Sequence, residues 1–265
     1  MAWTLISAVF PLLAQNKAFQ DRAEYEIFLA VQKQAVPAER LVLLRQWAEK
    51  YPRSAFRQER FYSLITTQQA LGQSREMLRT AEQMAADDRK GLGNYWITVL
   101  TTQLQDVSTS ALNRSEKAAQ ALLHDHYSPE NKPEAVPREA WIEEKARSGV
   151  LAHRTLGWIA LNRKQWTKAI AELKLVLAEH PDDAAASFWL GSGILGQKRI
   201  ETEPLALYYY ARALTITGPG ALTPEAKAQV QGFLEKAYSE RYGNRAGLAK
   251  LYEQARSGTP PAFAR

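Results

Sequence analysis

Apolar and small residues recur with the 3.6-residue period of a helix most clearly in the second half of the chain. Residues 150–183 read VLAHRTLGWIALNRKQWTKAIAELKLVLAEHPDD. With Val150 counted as position 1, positions 7, 8 and 11 form one stripe, and positions 20, 24 and 27 form a second. Pro181 cannot continue a helix, so it ends the second one. The pattern predicts two antiparallel helices.

The same pattern returns immediately afterwards. The dipeptide Leu-Gly at 156–157 recurs at 190–191, which is 34 residues later. The second copy begins at Ala184. Its second helix, 206–214, begins three residues later than the spacing of the first copy predicts. The extra residues fall at 200–203, in the turn of the hairpin, where an insertion is tolerated.

This unit resembles the tetratricopeptide repeat, whose pattern places small or apolar residues at these positions and Pro at the end. The resemblance covers about residues 20–217, closely over 150–217 and less well before 124. It is also similar to uncharacterised exported bacterial proteins of this class. The resemblance implies an all-α protein, a right-handed α-solenoid of antiparallel helix pairs that acts as a non-catalytic binding scaffold.

The first half of the chain carries looser versions of the unit. In the first of these units, residues 21–52, Phe28 stands where the repeat usually has Gly, and Arg40 stands where it usually has Ala. These substitutions indicate a looser hairpin. The hairpins predicted there are 21–52, 58–88 and 94–123. The complete predicted order is a hydrophobic segment 1–15, degenerate hairpins 16–123, a Pro-rich linker 124–139, two well-formed units 140–217, capping helices 218–258 and a tail 259–265.

Residues 1–15, MAWTLISAVFPLLAQ, contain no charged side chain. The segment is shorter than the roughly 20 residues that span a membrane, so no integral span is expected. Its length matches the apolar region of a secretory signal, although no Lys or Arg precedes it. Export to the periplasm is favoured, and the alternative is a cytoplasmic protein with a hydrophobic first helix.

Composition limits the chemistry. The chain has no Cys, which excludes disulfides, thiolate zinc sites and cysteine nucleophiles. The formal net charge is +6, from 34 basic and 28 acidic residues of interleaved sign, and no nucleic-acid partner is expected. The stretch 241–265 is more basic; it forms a solvated face or, alternatively, contacts acidic surfaces. Its charged residues are Arg241, Arg245, Lys250, Arg256 and Arg265, against Glu253.

Three glycines, Gly191, Gly193 and Gly196, match the dinucleotide-binding pattern G-x-G-x-x-G. That site needs a preceding strand and an acidic residue about 20 positions later. Here a helix start, DDAAASFWL, precedes the first glycine, with one of the two Asp residues as its cap. We therefore predict that Gly191 allows two helices to pack closely, and we predict no cofactor.

No catalytic or metal-binding pattern is apparent. His124 and His126 with Glu130 lack reliable third and fourth metal ligands. The adjacent Glu143 and Glu144 point in different directions on a helix, so they make a poor acid–base pair. The prediction is that the protein is not an enzyme. The alternative is an enzyme or small-ligand binder in which the loop 124–139 covers His153 and Arg154.

The repeat resemblance implies a concave groove lined by the first helix of each pair, and hence a protein or peptide partner. The aromatic, apolar and basic groups at those positions suit the anchoring of peptide side chains. An alternative is that Trp158 and Phe188 only cover neighbouring hairpins. The predicted groove residues are Arg22, Tyr25, Leu29, Tyr62, Thr66, Leu151, Arg154, Trp158, Leu161, Phe188, Ser192 and Leu195.

Overall fold

In a computed structural model, residues 17–88, 92–134, 136–258 and 260 are described, and within them every regular element is a helix. The all-α prediction is confirmed for this part of the chain. The helices are α1 Arg22–Lys33, α2 Pro37–Lys50, α3 Arg57–Ala70, α4 Ser74–Asp87, α5 Gly93–Leu104, α6 Thr109–Ala121, α7 Arg138–Asn162, α8 Trp166–Glu179, α9 Ala184–Gly196, α10 Glu203–Thr215, α11 Pro224–Tyr242 and α12 Leu248–Ser257.

The chain divides into two compact units, and consecutive helices pack on one another within each. The first unit is drawn from Met1–Asp106 and Lys117–Ser148, and the second from Val107–Glu116 and Gly149–Arg265. The predicted segment 1–15 and all of the tail 259–265 except Pro260 lie outside the described residues. None of the helices in the described part of the chain is both long and apolar enough to cross a membrane.

The first two predicted hairpins correspond to the helix pairs α1–α2 and α3–α4, whereas α6 of the third, 94–123, is divided between the two units. Trp47 and Leu44 of α2 are buried in one cluster, and Ile65 of α3 and Trp96 of α5 are buried in another. The turn between α3 and α4 contains Gly72 with a φ of +68°, a conformation that glycine adopts at little cost. The apolar stripes read from the sequence therefore do form the cores of these hairpins.

A buried polar network holds the first hairpin together. Glu24 of α1 is fully buried and accepts hydrogen bonds from the Trp47 indole at 3.1 Å and from the Gln20 N–H at 2.7 Å. Buried Arg60 donates to the Trp47 carbonyl oxygen at 3.2 Å. Burial raises the pKa of Glu24, but the hydrogen bonds that it accepts, the largest from Ser54, outweigh this effect, so its pKa is lowered.

The second unit packs its helices through glycine. A Cβ atom on Gly157 would lie 2.7 Å from the Leu173 side chain, and one on Gly191 would lie 2.8 Å from the Ala206 carbonyl oxygen. Such distances are too short for any real side chain. The prediction that Gly191 serves close helix packing is confirmed, and no strand precedes it in α9.

The predicted Asp cap of α9 is confirmed, whereas α10 begins at Glu203, three residues before the predicted start at 206. Asp183 caps α9 by accepting a hydrogen bond from the Ala186 N–H at 2.9 Å. Thr223 caps α11, with Pro224 at its first position. The extra residues in the second repeat form a short 3₁₀ turn, Ile200–Thr202, between α9 and α10.

The predicted linker 124–139 forms contacts of its own within the first unit. It contains the end of a π-helical turn, Leu122–His126, and a 3₁₀ turn, Pro129–Asn131. The buried Tyr127 hydroxyl lies 2.9 Å from the Ser148 hydroxyl, and Lys132 donates to the Val136 carbonyl oxygen at 2.5 Å. These contacts anchor the segment at several points.

Candidate functional site

Helix α9 carries the predicted groove residues with the clearest geometry. Nε of Arg154, from α7, lies 2.8 Å from Oδ2 of Asp183, the residue that caps α9. The guanidinium also lies 5.0 Å from the ring centroid of Trp189, within cation–π range. Arg154 is thus held by an ion pair and by an aromatic ring, both supplied by α9 or its cap.

Phe188 of the same helix belongs to an aromatic cluster. The ring of Phe188 is 5.4 Å from that of Tyr210 and 5.9 Å from that of Phe233 on α11. Ser192 donates to the Phe188 carbonyl oxygen at 3.0 Å, and its hydroxyl lies 3.2 Å from the Tyr210 hydroxyl. Phe233 is 54% exposed. The ring of Phe233 is therefore exposed to solvent on one side and packs against Phe188 on the other.

The other predicted groove residues of the second unit face the core to different degrees. Trp158 is only 6% exposed and packs with Leu112. Leu161 and Leu195 are half-buried against the core of α8 to α10, and Leu151 is half-buried. Burial of Trp158 favours the alternative reading for that residue, that it covers a neighbouring hairpin.

The predicted groove residues of the first unit are partly available to solvent. Arg22 is exposed in a surface ion pair, and Tyr25 is 45% exposed. Leu29 and Tyr62 are half-buried, and the Thr66 hydroxyl is bound to the Tyr62 carbonyl oxygen at 3.1 Å.

Two hairpin turns of the second unit flank a pocket that was not predicted from the sequence. It is open, has a volume of about 650 Å³ and joins the turn between α7 and α8 to the turn between α9 and α10. A signal was present, because Lys164 and Lys198 are 34 residues apart and each has an Arg beside it. The lining residues are Lys164, Gln165, Trp166, Thr167, Lys168, Gln197 and Arg199.

An ion-pair network borders this pocket. The Lys168 ammonium lies 2.7 Å from Oε1 of Glu116, and Nη1 of Arg163 lies 2.5 Å from Oε2 of the same carboxylate. The pKa of Glu116 is lowered because Lys168 and Arg163 both donate hydrogen bonds to it. Glu116 therefore stays ionised and fixes the position of Lys168.

The titratable groups considered in the sequence have structural contacts. Nδ1 of His153 lies 2.7 Å from Oε2 of Glu172, which joins α7 to α8. Glu143 and Glu144 both face Arg147, at 3.7 and 2.9 Å. Among the described residues no group of three His, Asp or Glu side chains could hold a metal ion.

Some of the cations near the C-terminus form ion pairs and hydrogen bonds within the second unit. Arg241 donates to Glu203 at 2.5 Å and to the Ile200 carbonyl oxygen at 3.0 Å, and Arg245 lies 2.7 Å from Glu235. Lys250 and Arg256 are exposed, whereas Arg265 lies outside the described residues. The predicted basic face is therefore reduced where Arg241 and Arg245 are paired.

No model of a known protein family matches this chain. A comparison with curated proteins also gives no significant match. Function must therefore be argued from the surfaces described above.

Proposed function

We propose that the protein is a non-catalytic scaffold of the tetratricopeptide-repeat type, a right-handed superhelix that binds a segment of a partner protein. The proposed binding surface comprises Arg154, which contacts Asp183 and Trp189, and Phe233, which packs on Phe188 of α9. The observation that carries the proposal is the Phe188–Tyr210–Phe233 cluster, in which Phe233 remains 54% exposed.

The support comes from rigidity and composition. Arg154 and Phe188 are both anchored on α9, which is itself locked by the close contact of Gly191 with α10. A preorganised aromatic or Arg side chain loses little entropy when a partner binds, and such residues dominate binding energies at interfaces. The surface therefore suits a partner segment with an apolar anchor residue that packs on Phe233.

The proposal assigns no catalytic role to the chain. The alternative, in which segment 124–139 covers a small-ligand site at His153 and Arg154, stays a prediction. His153 and Arg154 are each paired with a carboxylate, so both contribute to helix packing.

The test is affinity capture from the native source followed by mass spectrometry, with wild type compared with Phe233→Ala. Removing an exposed anchor ring is expected to weaken capture of a specific partner by about ten-fold or more. The control is Ile200→Ala, because Ile200 is an exposed apolar residue of the same unit, at 71% exposure, in the turn after α9. Unchanged recovery of every partner by Phe233→Ala and by Arg154→Gln would refute the proposed surface.

A further inference from the structure

The pocket between the two hairpin turns of the second unit is lined by three cations, of which one, Lys168, is paired with Glu116, a residue outside the lining. Lys164 and Lys168 come from one side and Arg199 from the other. No Asp or Glu lines the pocket among the described residues, and none of them forms an ion pair with Lys164 or Arg199. The pocket is therefore electrostatically prepared for an anion.

Lys168 keeps donors available for such an anion. Its ammonium carries three N–H groups, of which one is used at 2.7 Å by Glu116. Because Glu116 also binds Arg163, its negative charge is shared between two cations and does not cancel the charge of the pocket. Lys168 is thus oriented by Glu116 and can still donate to a ligand.

The backbone conformation of these two turns does not by itself favour lysine at positions 164 and 198. Lys164 has a φ of +57° and Lys198 a φ of +54°, a left-handed conformation that costs energy for any residue with a Cβ atom. The turn between α3 and α4 has the same hydrogen bonds as the Lys164 turn, and there the position is Gly72, with a φ of +68°. Glycine would relieve this conformational cost, so the backbone of the turn does not require a lysine at position 164.

The cations that line the pocket favour a phosphorylated small molecule over a carboxylate. A phosphate ester carries a charge of about −1.5 to −2 and three acceptor oxygens, so it can bind three separate donors at once. A carboxylate has a single charge and two oxygens.

The pocket also has a wall for the remainder of such a ligand. The half-buried ring of Trp166 rests on Gly196, where a Cβ atom would lie 2.7 Å from the ring. Gln165, Gln197 and Thr167 add neutral hydrogen-bonding groups. An indole next to cations suits a ligand with both a planar or apolar part and an anionic part.

We propose that this pocket binds the phosphate group of a small soluble phosphorylated compound through Lys164, Lys168 and Arg199. The site is distinct from the partner surface that contains Phe233. A ligand there would bridge the α7–α8 turn and the α9–α10 turn and would stabilise the second unit.

The test is isothermal titration calorimetry of the full chain with inorganic diphosphate, inorganic phosphate and acetate, each at low and moderate salt. Diphosphate is expected to bind most tightly, acetate least, and the affinity for phosphate is expected to fall as salt rises. The variant Lys164→Gly with Arg199→Gln should bind diphosphate at least about ten-fold more weakly. Its melting temperature should be close to that of wild type, because both side chains are exposed.

The matched control is Lys236→Gln with Lys250→Gln, which removes two exposed charges from α11 and α12. This control should bind diphosphate within about two-fold of wild type. Absence of binding up to about 10 mM diphosphate, equal loss in both double variants, or equal affinity for acetate would each overturn the proposal. Partner capture by the Lys164→Gly, Arg199→Gln variant distinguishes this site from the Phe233 surface, because that capture should be unchanged.

Discussion

Gly191 and Tyr210 are in such close contact that a Cβ atom on the glycine would lie 2.8 Å from the tyrosine ring. The Ala206 carbonyl oxygen lies at the same distance from that position. The bare backbone of α9 therefore rests directly on α10, and the separation of the two helices is set by the absence of a side chain. The same relationship joins Gly157 of α7 to Leu173 of α8.

Gly191→Ala is expected to reduce the free energy of unfolding by about 2 kcal/mol, because overpacking at a site bounded by backbone cannot be relieved by a rotamer change. The measurement is urea-induced unfolding followed by circular dichroism. Gly232→Ala on α11 is the control, since no atom lies within 4 Å of its added Cβ. That control should be stabilised by up to about 1 kcal/mol. Equal stability of the two variants would contradict the packing role.

Lys164→Gly is expected to leave the free energy of unfolding unchanged or to raise it by up to about 1 kcal/mol. Relief of the left-handed conformation gains about 1–2 kcal/mol, and the greater freedom of glycine in the unfolded chain offsets part of this gain. Thermal and urea unfolding measure the change. Gly72→Ala in the equivalent turn should lose about 1 kcal/mol. A clear loss of stability in Lys164→Gly would show that the lysine side chain is required for folding.

Asp183 both caps α9 and pairs with Arg154, and different substitutions remove one or both of these interactions. Its Oδ1 caps α9 through the Ala186 N–H, and its Oδ2 pairs with Arg154. Asp183→Ala loses both and should cost about 1–2 kcal/mol, whereas Asp183→Asn retains capping and should cost about 0.5 kcal/mol. Arg154→Gln should cost at least as much as the asparagine variant in urea unfolding, because it also removes the cation–π contact with Trp189. If asparagine proved as costly as alanine, the ion pair and not the cap would be the dominant contribution.

Glu24→Gln is expected to cost about 1–3 kcal/mol at neutral pH, because a buried carboxylate loses charge-assisted hydrogen bonds. The pKa of Glu24 is lower in the folded protein than its usual value of 4.5. Its contribution is therefore complete above about pH 4.5 and is lost as the pH falls through the lowered folded value.

The measurement is the free energy of unfolding of wild type and Glu24→Gln between pH 3 and 7. The difference between them should be largest at neutral pH and should shrink below about pH 4.5. Glu26→Gln, an exposed residue on the same helix, is the control and should show no such trend. A difference that is constant over the whole range would mean that the Glu24 charge does not stabilise the fold.

Local signals were sufficient for most of the fold. The apolar stripes of α8 and α9 are formed by residues within a few positions of one another, so they can be read from the sequence. The first hairpin was less predictable. Phe28 replaces the usual glycine there, and an aromatic cluster with Trp47 and Phe56 fills the space around it.

The candidate surface was predictable only in part. Repeat positions selected Arg154, Phe188 and Ser192, and the contacts of these residues are centred on α9. They did not separate buried Trp158 from exposed residues, and they missed Phe233, which lies on α11. Exposure depends on which neighbouring side chains fill the space above a residue, and positional periodicity does not specify this.

The sequence by itself determined that the described chain folds into helical hairpins and where their turns fall, because helix period, caps and breakers are local properties. Only the tertiary structure decided that Lys164 and Arg199 line one pocket. The two turns come together because α9 packs on α8, where Gly193 lies against Ile170 and Gly196 against the Trp166 ring. Convergence of charges distant in sequence is a consequence of packing, and packing depends on contacts between whole surfaces.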